Sequence, residues 1–293
     1  MTGERLKGRL LLLVVTALWG STFVAIKLAV GVVAPSVVIL VRFALAALVF
    51  LPWLRREPRL LVNGLELGFW LCAGYATQTV GLQYTSASQS AFITVLNVIL
   101  VPILAAALGQ RVRWPVWAAA VLAVAGVALL TGGVTHINVG DAWTLLCALT
   151  YAVYVLRLGH CAGRYPLLPL TAAQLWGVVV FAVLWTAAAR PSFAHMPWLL
   201  LVYLGLATTA LTTLLQTLGQ RWVSAPEAAV IYALEPVWAA AFAVAVLGER
   251  LGALGMSGAG LIVLATVLSQ WPAVAARLRG PRPLRVPRSR GGR

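Results

Sequence analysis

Two stretches of this sequence repeat each other. Residues 86–112 read SASQSAFITVLNVILVPILAAALGQRV, and residues 224–251 read SAPEAAVIYALEPVWAAAFAVAVLGERL. Each is an apolar run that ends in glycine, an acid or amide, arginine and an aliphatic residue. Ordered self-similarity of this kind indicates an internal duplication. Identical pairs include Ser86 and Ser224, Ala87 and Ala225, Ala91 and Ala229, Ile93 and Ile231, and Leu96 and Leu234.

The duplication extends beyond these two stretches. The same offset of 138 residues places Gly81 on Gly219, and a weaker match at an offset of 132 places Trp19 on Tyr151. Each half then contains five apolar runs. Because five is odd, the second half enters a membrane in the opposite orientation to the first. Inverted repeats are a recurrent plan of secondary transporters.

The composition requires a membrane environment. Of the 293 residues, 61% are hydrophobic and only 10% are charged, and the mean hydropathy is +0.93. A soluble protein cannot cover its surface with so few polar side chains. We therefore expect an all-α membrane protein in which the lipid bilayer is the main solvent.

Ten apolar runs have the length of a membrane-spanning helix, which needs about 20 residues. They predict ten transmembrane helices, arranged as two inverted five-helix repeats around a central cavity. The first repeat covers residues 10–133 and the second 141–271, between a cytoplasmic N-terminus (1–9) and a basic cytoplasmic tail (272–293). The expected spans are 10–30, 34–54, 65–84, 89–109, 114–133, 141–159, 167–188, 197–218, 226–247 and 252–271.

The distribution of basic residues predicts the topology. With the N-terminus in the cytoplasm, 18 of the 22 lysines and arginines fall on the cytoplasmic side, seven of them in the tail after Trp271. The exceptions are Lys27, Arg42, Arg190 and Arg250. This bias places both termini in the cytoplasm. The net charge of +15 is thus explained by the membrane topology. We expect no nucleic-acid partner, because no basic stretch alternates with exposed aromatic residues.

Three passages resemble the drug/metabolite transporter superfamily and, within it, the EamA-type ten-helix transporters. They are Ala17-Leu18-Trp19-Gly20-Ser21, Arg42 with the small residues after it, and residues 224–251. The resemblance implies export of a small molecule across the bacterial inner membrane through a cavity between the halves. It also suggests a YddG-type exporter of aromatic amino acids, although Asn97 is followed here by aliphatic residues where those exporters carry aromatic ones.

Polar and aromatic side chains inside the spans are candidates for the substrate site, because a lipid-facing surface would not be polar. Several lie three residues apart and share a helix face, for example Tyr75 with Gln78 and Tyr232 with Glu235. The predicted substrate-binding residues are Trp19, Tyr75, Gln78, Thr94, Asn97, Tyr151, Tyr154, Gln174, Gln216, Tyr232 and Glu235.

Two charged residues inside the spans leave alternatives open. Glu235 precedes Pro236, which lacks a backbone donor, and its carboxylate is expected either to bind a proton or a substrate amine or to bond to neighbouring helices. Arg42 is expected either to attract a substrate carboxylate or to play a structural role, paired with a carboxylate or extended towards the headgroups.

Enzymes are disfavoured, because the sequence has no clustered histidines, no Gly-rich phosphate loop and no paired carboxylates. The three cysteines show no metal-ligand spacing, so neither a metal nor a cofactor is expected. A transporter that acts as a monomer or homodimer is favoured. The alternatives are an exporter of another metabolite or drug, and a passive channel.

Overall fold

The computed structural model describes residues 2–85, 87–131, 137–247 and 252–278. In these ranges the fold is all-helical, as the sequence predicts. The helices are α1 Thr2–Val30, α2 Pro35–Phe50, α3 Pro58–Gly81, α4 Ala87–Val95, α5 Asn97–Ala107, α6 Trp114–Thr131, α7 Val139–Ala162, α8 Leu167–Ala189, α9 Trp198–Gly205, α10 Thr212–Gly219, α11 Ala225–Tyr232, α12 Glu235–Leu247 and α13 Ala253–Leu278.

These helices form ten spans, because three spans consist of two helical pieces each. The fourth span joins α4 to α5 at Leu96, and the ninth joins α11 to α12 at Ala233 and Leu234. The eighth joins α9 to α10 through a short π-helix, Leu206–Leu211. Pro236 is the second residue of α12, and its missing N–H cannot continue the ladder from α11. The two breaks at Leu96 and Leu234 occupy equivalent positions in the two repeats.

The spans differ in helix length and in hydropathy. In the described ranges, four helices are individually both long and apolar enough to cross a bilayer, and the stretches Phe92–Ala107, Trp114–Leu130 and Ala253–Ser269 are apolar but shorter. α1 and α3 begin before the predicted spans and α13 continues beyond its span. The four long apolar helices are Pro35–Trp53, Val139–Ala162, Leu167–Ala189 and Trp198–Gly219.

Helix α7 begins where its sequence provides a capping box. The Oδ1 atom of Asn138 accepts hydrogen bonds from the backbone N–H groups of Gly140 (2.7 Å) and Asp141 (3.3 Å), and Asp141 Oδ2 accepts one from the N–H of Asn138 (2.8 Å). These contacts satisfy donors that would otherwise lack partners at a helix start. The capping box therefore fixes the position at which the first helix of the second repeat begins.

The two repeats contact each other through equivalent glycines. A Cβ atom on Gly8 of α1 would lie 3.0 Å from the carbonyl oxygen of Gly219 in α10, and one on Gly140 of α7 would lie 2.7 Å from that of Gly81 in α3. The offset of 132 maps Gly8 onto Gly140, and the offset of 138 maps Gly81 onto Gly219. Each repeat thus brings its first helix against the third helix of the other repeat.

Other small residues serve packing within one chain. A Cβ atom on Gly126 of α6 would lie 2.8 Å from the carbonyl oxygen of Gly258 in α13, and Ala119 and Ala123 are buried on α6. Small residues at such contacts let helix backbones approach closely where no hydrophobic force drives helices together. α6 and α13 therefore form one tightly packed pair beside the central bundle.

Candidate functional site

A single cavity of about 310 Å³ brings together most of the predicted site residues. Ten of the eleven line it, and Gln174 does not. The lining also includes residues that were not predicted, which are Thr22, Ile26, Val30, Leu71, Thr79, Leu82, Thr85, Val95 and Val155. The structure groups these side chains, and their contact with substrate remains a prediction.

The cavity lies asymmetrically along the helix bundle. On α1 its lining runs from Trp19 to Val30, and on α3 it reaches Leu82 at the end of the helix. The first half of α1 contributes no lining residue. The cavity therefore extends from the middle of the bundle towards the end opposite the N-terminus.

The other end of the bundle is closed by charged and tightly packed residues. Glu227, at the start of α11, is 3% exposed. Its Oε1 lies 3.6 Å from Nη1 of Arg113 and 4.0 Å from Nη2 of Arg9. The contact between Gly8 and Gly219 lies at the same end. These residues join α1, α10, α11 and the segment before α6.

A layer of buried amides and phenols supports the cavity wall. The Tyr154 hydroxyl donates a hydrogen bond to Oε1 of Gln174 (2.9 Å) and lies 3.4 Å from Oε1 of Gln216. Gln174 also donates from Nε2 to Oγ1 of Thr217 at 2.8 Å. Gln174 is fully buried, so it fixes Tyr154 from behind instead of lining the cavity.

An aromatic cluster forms part of the lining. The rings of Trp19 and Tyr232 have centroids 5.3 Å apart, and those of Tyr75 and Tyr151 lie 5.7 Å apart in an edge-to-face arrangement. In the described residues, Trp19 Nε1 is buried without a hydrogen-bond partner.

Glu235 is the charged residue of the lining. It begins α12, so its carboxylate lies at the positive end of a helix dipole. It is partly exposed to the cavity. No side chain in the described ranges pairs with it. An unpaired carboxylate at this depth can hold a proton or a cationic group.

Thr22 and Thr79 line the cavity and were not among the predicted residues. Thr22 Oγ1 donates to the carbonyl of Trp19 at 2.7 Å, and Thr79 Oγ1 donates to that of Tyr75 at 2.6 Å. A threonine can bond within its own helix wherever it lies, so its presence in a span does not by itself predict a cavity. Helical spacing was the available signal, since both lie one turn from predicted lining residues.

Comparison with known proteins gives a consistent assignment. The EamA-like transporter family matches residues 6–132 and again 138–271. An uncharacterized transporter of Archaeoglobus fulgidus is 32% identical over 276 residues, 90% of this chain and 86% of the relative. A biotin transporter of Salmonella typhimurium is 27% identical over 234 residues, 73% of this chain and 77% of the relative.

The fold has a solved counterpart as well. One crystal structure superimposes with a TM-score of 0.78 at 19% identity, covering 92% of this chain and 99% of the other. At that identity the likeness concerns the fold alone. The expectation of a transporter instead of an enzyme agrees with the family match, which covers nearly all of the two repeats. The chain is therefore a multi-pass membrane protein that belongs to the EamA-like transporter family.

Proposed function

We propose that the protein exports neutral amino acids with large aromatic or aliphatic side chains, or related small metabolites, across the bacterial inner membrane. The observation that carries this proposal is the unpaired carboxylate of Glu235 beside an aromatic cavity lining. The carboxylate suits a substrate ammonium group, and the rings of Trp19, Tyr151 and Tyr232 suit an apolar side chain.

The size and charge of the cavity narrow the substrate class. A volume of about 310 Å³ lies at the small end of ligand pockets, which suits a single amino acid. The described lining contains no lysine or arginine. A sugar phosphate or nucleotide sugar would therefore lack the cluster of basic groups that offsets its charge in a low-dielectric site, for which Arg42 alone is insufficient.

The transport mechanism follows from the inverted repeats and the one-sided cavity. With both termini in the cytoplasm, as the basic residues indicate, the cavity extends towards the periplasm. Alternating access would then open the end around Glu227 while the opposite end closes. The small-residue faces of α6 and α13 contact each other within one chain, so these faces are not free to form a homodimer.

A second candidate substrate is a carboxylated cofactor precursor such as biotin. It is supported by the relative named as a biotin transporter, which aligns with 73% of this chain. Biotin has a carboxylate but no ammonium group, so Glu235 separates the two candidates. Removing the charge of Glu235 should weaken amino-acid binding and leave biotin binding equal or stronger.

The proposal is tested with the purified protein in liposomes. Counterflow of labelled phenylalanine and, in parallel, of labelled biotin is measured against unlabelled amino acids, biotin, sugar phosphates and organic cations, with and without a proton gradient. We expect saturable flux that phenylalanine and methionine inhibit. Saturable counterflow of labelled biotin without counterflow of labelled phenylalanine would support the second candidate. Linear flux that no compound inhibits would indicate a passive channel.

A further inference from the structure

The Arg42 side chain carries a positive charge in the interior of the bundle. It is 1% exposed, so it does not extend to the headgroups. Its Nε donates to Oγ1 of Thr209 at 2.9 Å, and Nη2 lies 3.5 Å from Oγ1 of Thr208. Its guanidinium carbon lies 4.7 Å from the ring centre of Tyr75 and 5.5 Å from that of Phe43.

These partners do not neutralise the charge. Among the described residues, no carboxylate forms an ion pair with Arg42. Hydroxyl groups and aromatic rings compensate a cation only in part, and an uncompensated charge in a membrane interior is costly. A neutral side chain would fill the same space at a lower cost. The charge itself therefore requires an explanation other than packing.

The hydroxyls that hold Arg42 come from an irregular helix. Thr208 and Thr209 lie in the π-helix Leu206–Leu211, and both donate to the carbonyl of Leu204, at 3.1 and 2.7 Å. With their protons committed, both oxygens present lone pairs to the guanidinium. Single π-turns inside α-helices occur frequently at functional sites. The backbone thus departs from regular geometry where it receives the charge.

The ring of Tyr75 connects this charge to the cavity wall. Tyr75 lines the cavity, and the guanidinium stacks over its ring. The ring edge also contacts Tyr151 and Phe43, with centroids 5.7 and 5.1 Å away. A different rotamer of Tyr75 would remove this ring from the guanidinium. The negative charge of Glu235 lies on a different helix, so the two charges act from separate walls.

We propose that Arg42 recognises a carboxylate group of the substrate, with Tyr75 as the movable cover between them. A guanidinium fits a carboxylate through two parallel hydrogen bonds, which neither a hydroxyl nor a ring can replace. The inference rests on the proposed function only in that the substrate enters this cavity. It applies equally to an amino acid and to biotin.

The test compares ligands that differ only in the carboxylate. Phenylalanine and its amide, biotin and its amide, and benzoate and benzamide are titrated against the full-length protein in detergent, with tryptophan fluorescence and thermal shift as readouts. We expect each carboxylate that enters the cavity to bind about tenfold more tightly than its amide. Arg42→Gln should reduce this ratio to near one, whereas Arg42→Lys should retain part of it and the exposed Arg164→Gln should retain all of it.

A second variant covers the possibility that Arg42→Gln does not fold. Tyr75→Ala keeps Arg42 and removes the cover, so the ratio of carboxylate to amide affinity should rise above that of the wild type. The inference is overturned if the wild type shows no carboxylate preference in any pair, or if the folded Arg42→Gln variant keeps it. If biotin shows the Arg42-dependent preference while phenylalanine does not bind, the amino-acid proposal fails and this inference stands.

Discussion

Asn97 and Glu235 are equivalent residues of the two repeats, and both side chains line the same cavity. Each is the first residue of the second half of a broken helix, Asn97 in α5 and Glu235 in α12. The duplication therefore supplied two positions of the same backbone geometry, one of which carries a neutral amide and the other a carboxylate. The central site is structurally symmetric but electrically asymmetric.

Replacing the charge of Glu235 should impair transport without disrupting the fold. Glu235→Gln preserves the shape of the side chain and removes the partner of a substrate ammonium group. We expect transport to fall about tenfold, which corresponds to the free energy of one charge-assisted hydrogen bond. At low pH the wild-type carboxylate is protonated and resembles glutamine, so the two proteins should converge there. Counterflow across a pH series measures both effects.

A matched control distinguishes the effect of losing the Glu235 charge from general damage to the protein. Glu66→Gln makes the same chemical change at a carboxylate outside the cavity, where Glu66 pairs with Arg157 at 2.6 Å. It should transport normally. Wild-type transport by Glu235→Gln at every pH would contradict a role in binding or coupling and leave Glu235 as a packing residue.

The closed end of the bundle should depend on Glu227. Removing its charge with Glu227→Gln leaves Arg9 and Arg113 without this shared partner, and breaking a buried ion pair is strongly destabilising. The closed end should then open more often, which we would measure as severalfold faster thiol labelling of a cysteine introduced at Leu12, a fully buried residue at that end. Equal labelling rates in the Leu12→Cys protein with and without Glu227→Gln would refute this role.

The close contact between α3 and α8 should not tolerate a methyl group. A Cβ atom on Gly68 would lie 2.5 Å from the carbonyl carbon of Gly177, so the two backbones would have to separate. We expect Gly68→Ala to destabilise the protein by about 1–3 kcal/mol. Gly260 of α13 has no atom within 4 Å of such a Cβ, so Gly260→Ala should be neutral or slightly stabilising. Thermal unfolding in detergent compares the two variants.

The topology predicted from the basic residues can be tested with reporter fusions. A reporter fused after Arg56 or after Trp271 should behave as cytoplasmic, and one placed within residues 135–139 should behave as periplasmic. The expectation rests on the location of 18 of the 22 basic residues. A periplasmic reporter after Trp271 would require an odd number of spans and would contradict the inverted repeats.

Much of the architecture was predictable because lipid constrains a sequence strongly. A chain of this composition must place its polar side chains in a cavity or between helices, which is why residues such as Tyr75, Asn97 and Glu235 proved to lie together. The break at Ala233 and Leu234 was not predicted, although Pro236, which cannot donate to the helix ladder, lies next to it.

Other features depend on tertiary contacts that no local pattern reveals. Gln174 has the same sequence character as Gln78, yet its amide is satisfied by Tyr154 and Thr217 and does not reach the cavity. The hydrogen-bond partners of Arg42 could not be predicted either. The π-helix that contains Thr208 and Thr209 includes no proline or glycine that would indicate it in the sequence. The residue type showed that these side chains were polar, but not which polar neighbours would satisfy them.

The crossed glycine contacts between α1 and α10 and between α3 and α7 have a consequence for biogenesis. The first five spans, α1–α6, emerge from the ribosome with two faces, at Gly8 and Gly81, whose partners in the second repeat have not yet been synthesised. Neither half can complete its packing alone. The first half therefore remains in the bilayer as an incompletely packed intermediate until the second half is inserted. Fragments 1–137 and 138–293 produced from separate reading frames should accordingly be degraded singly and accumulate together.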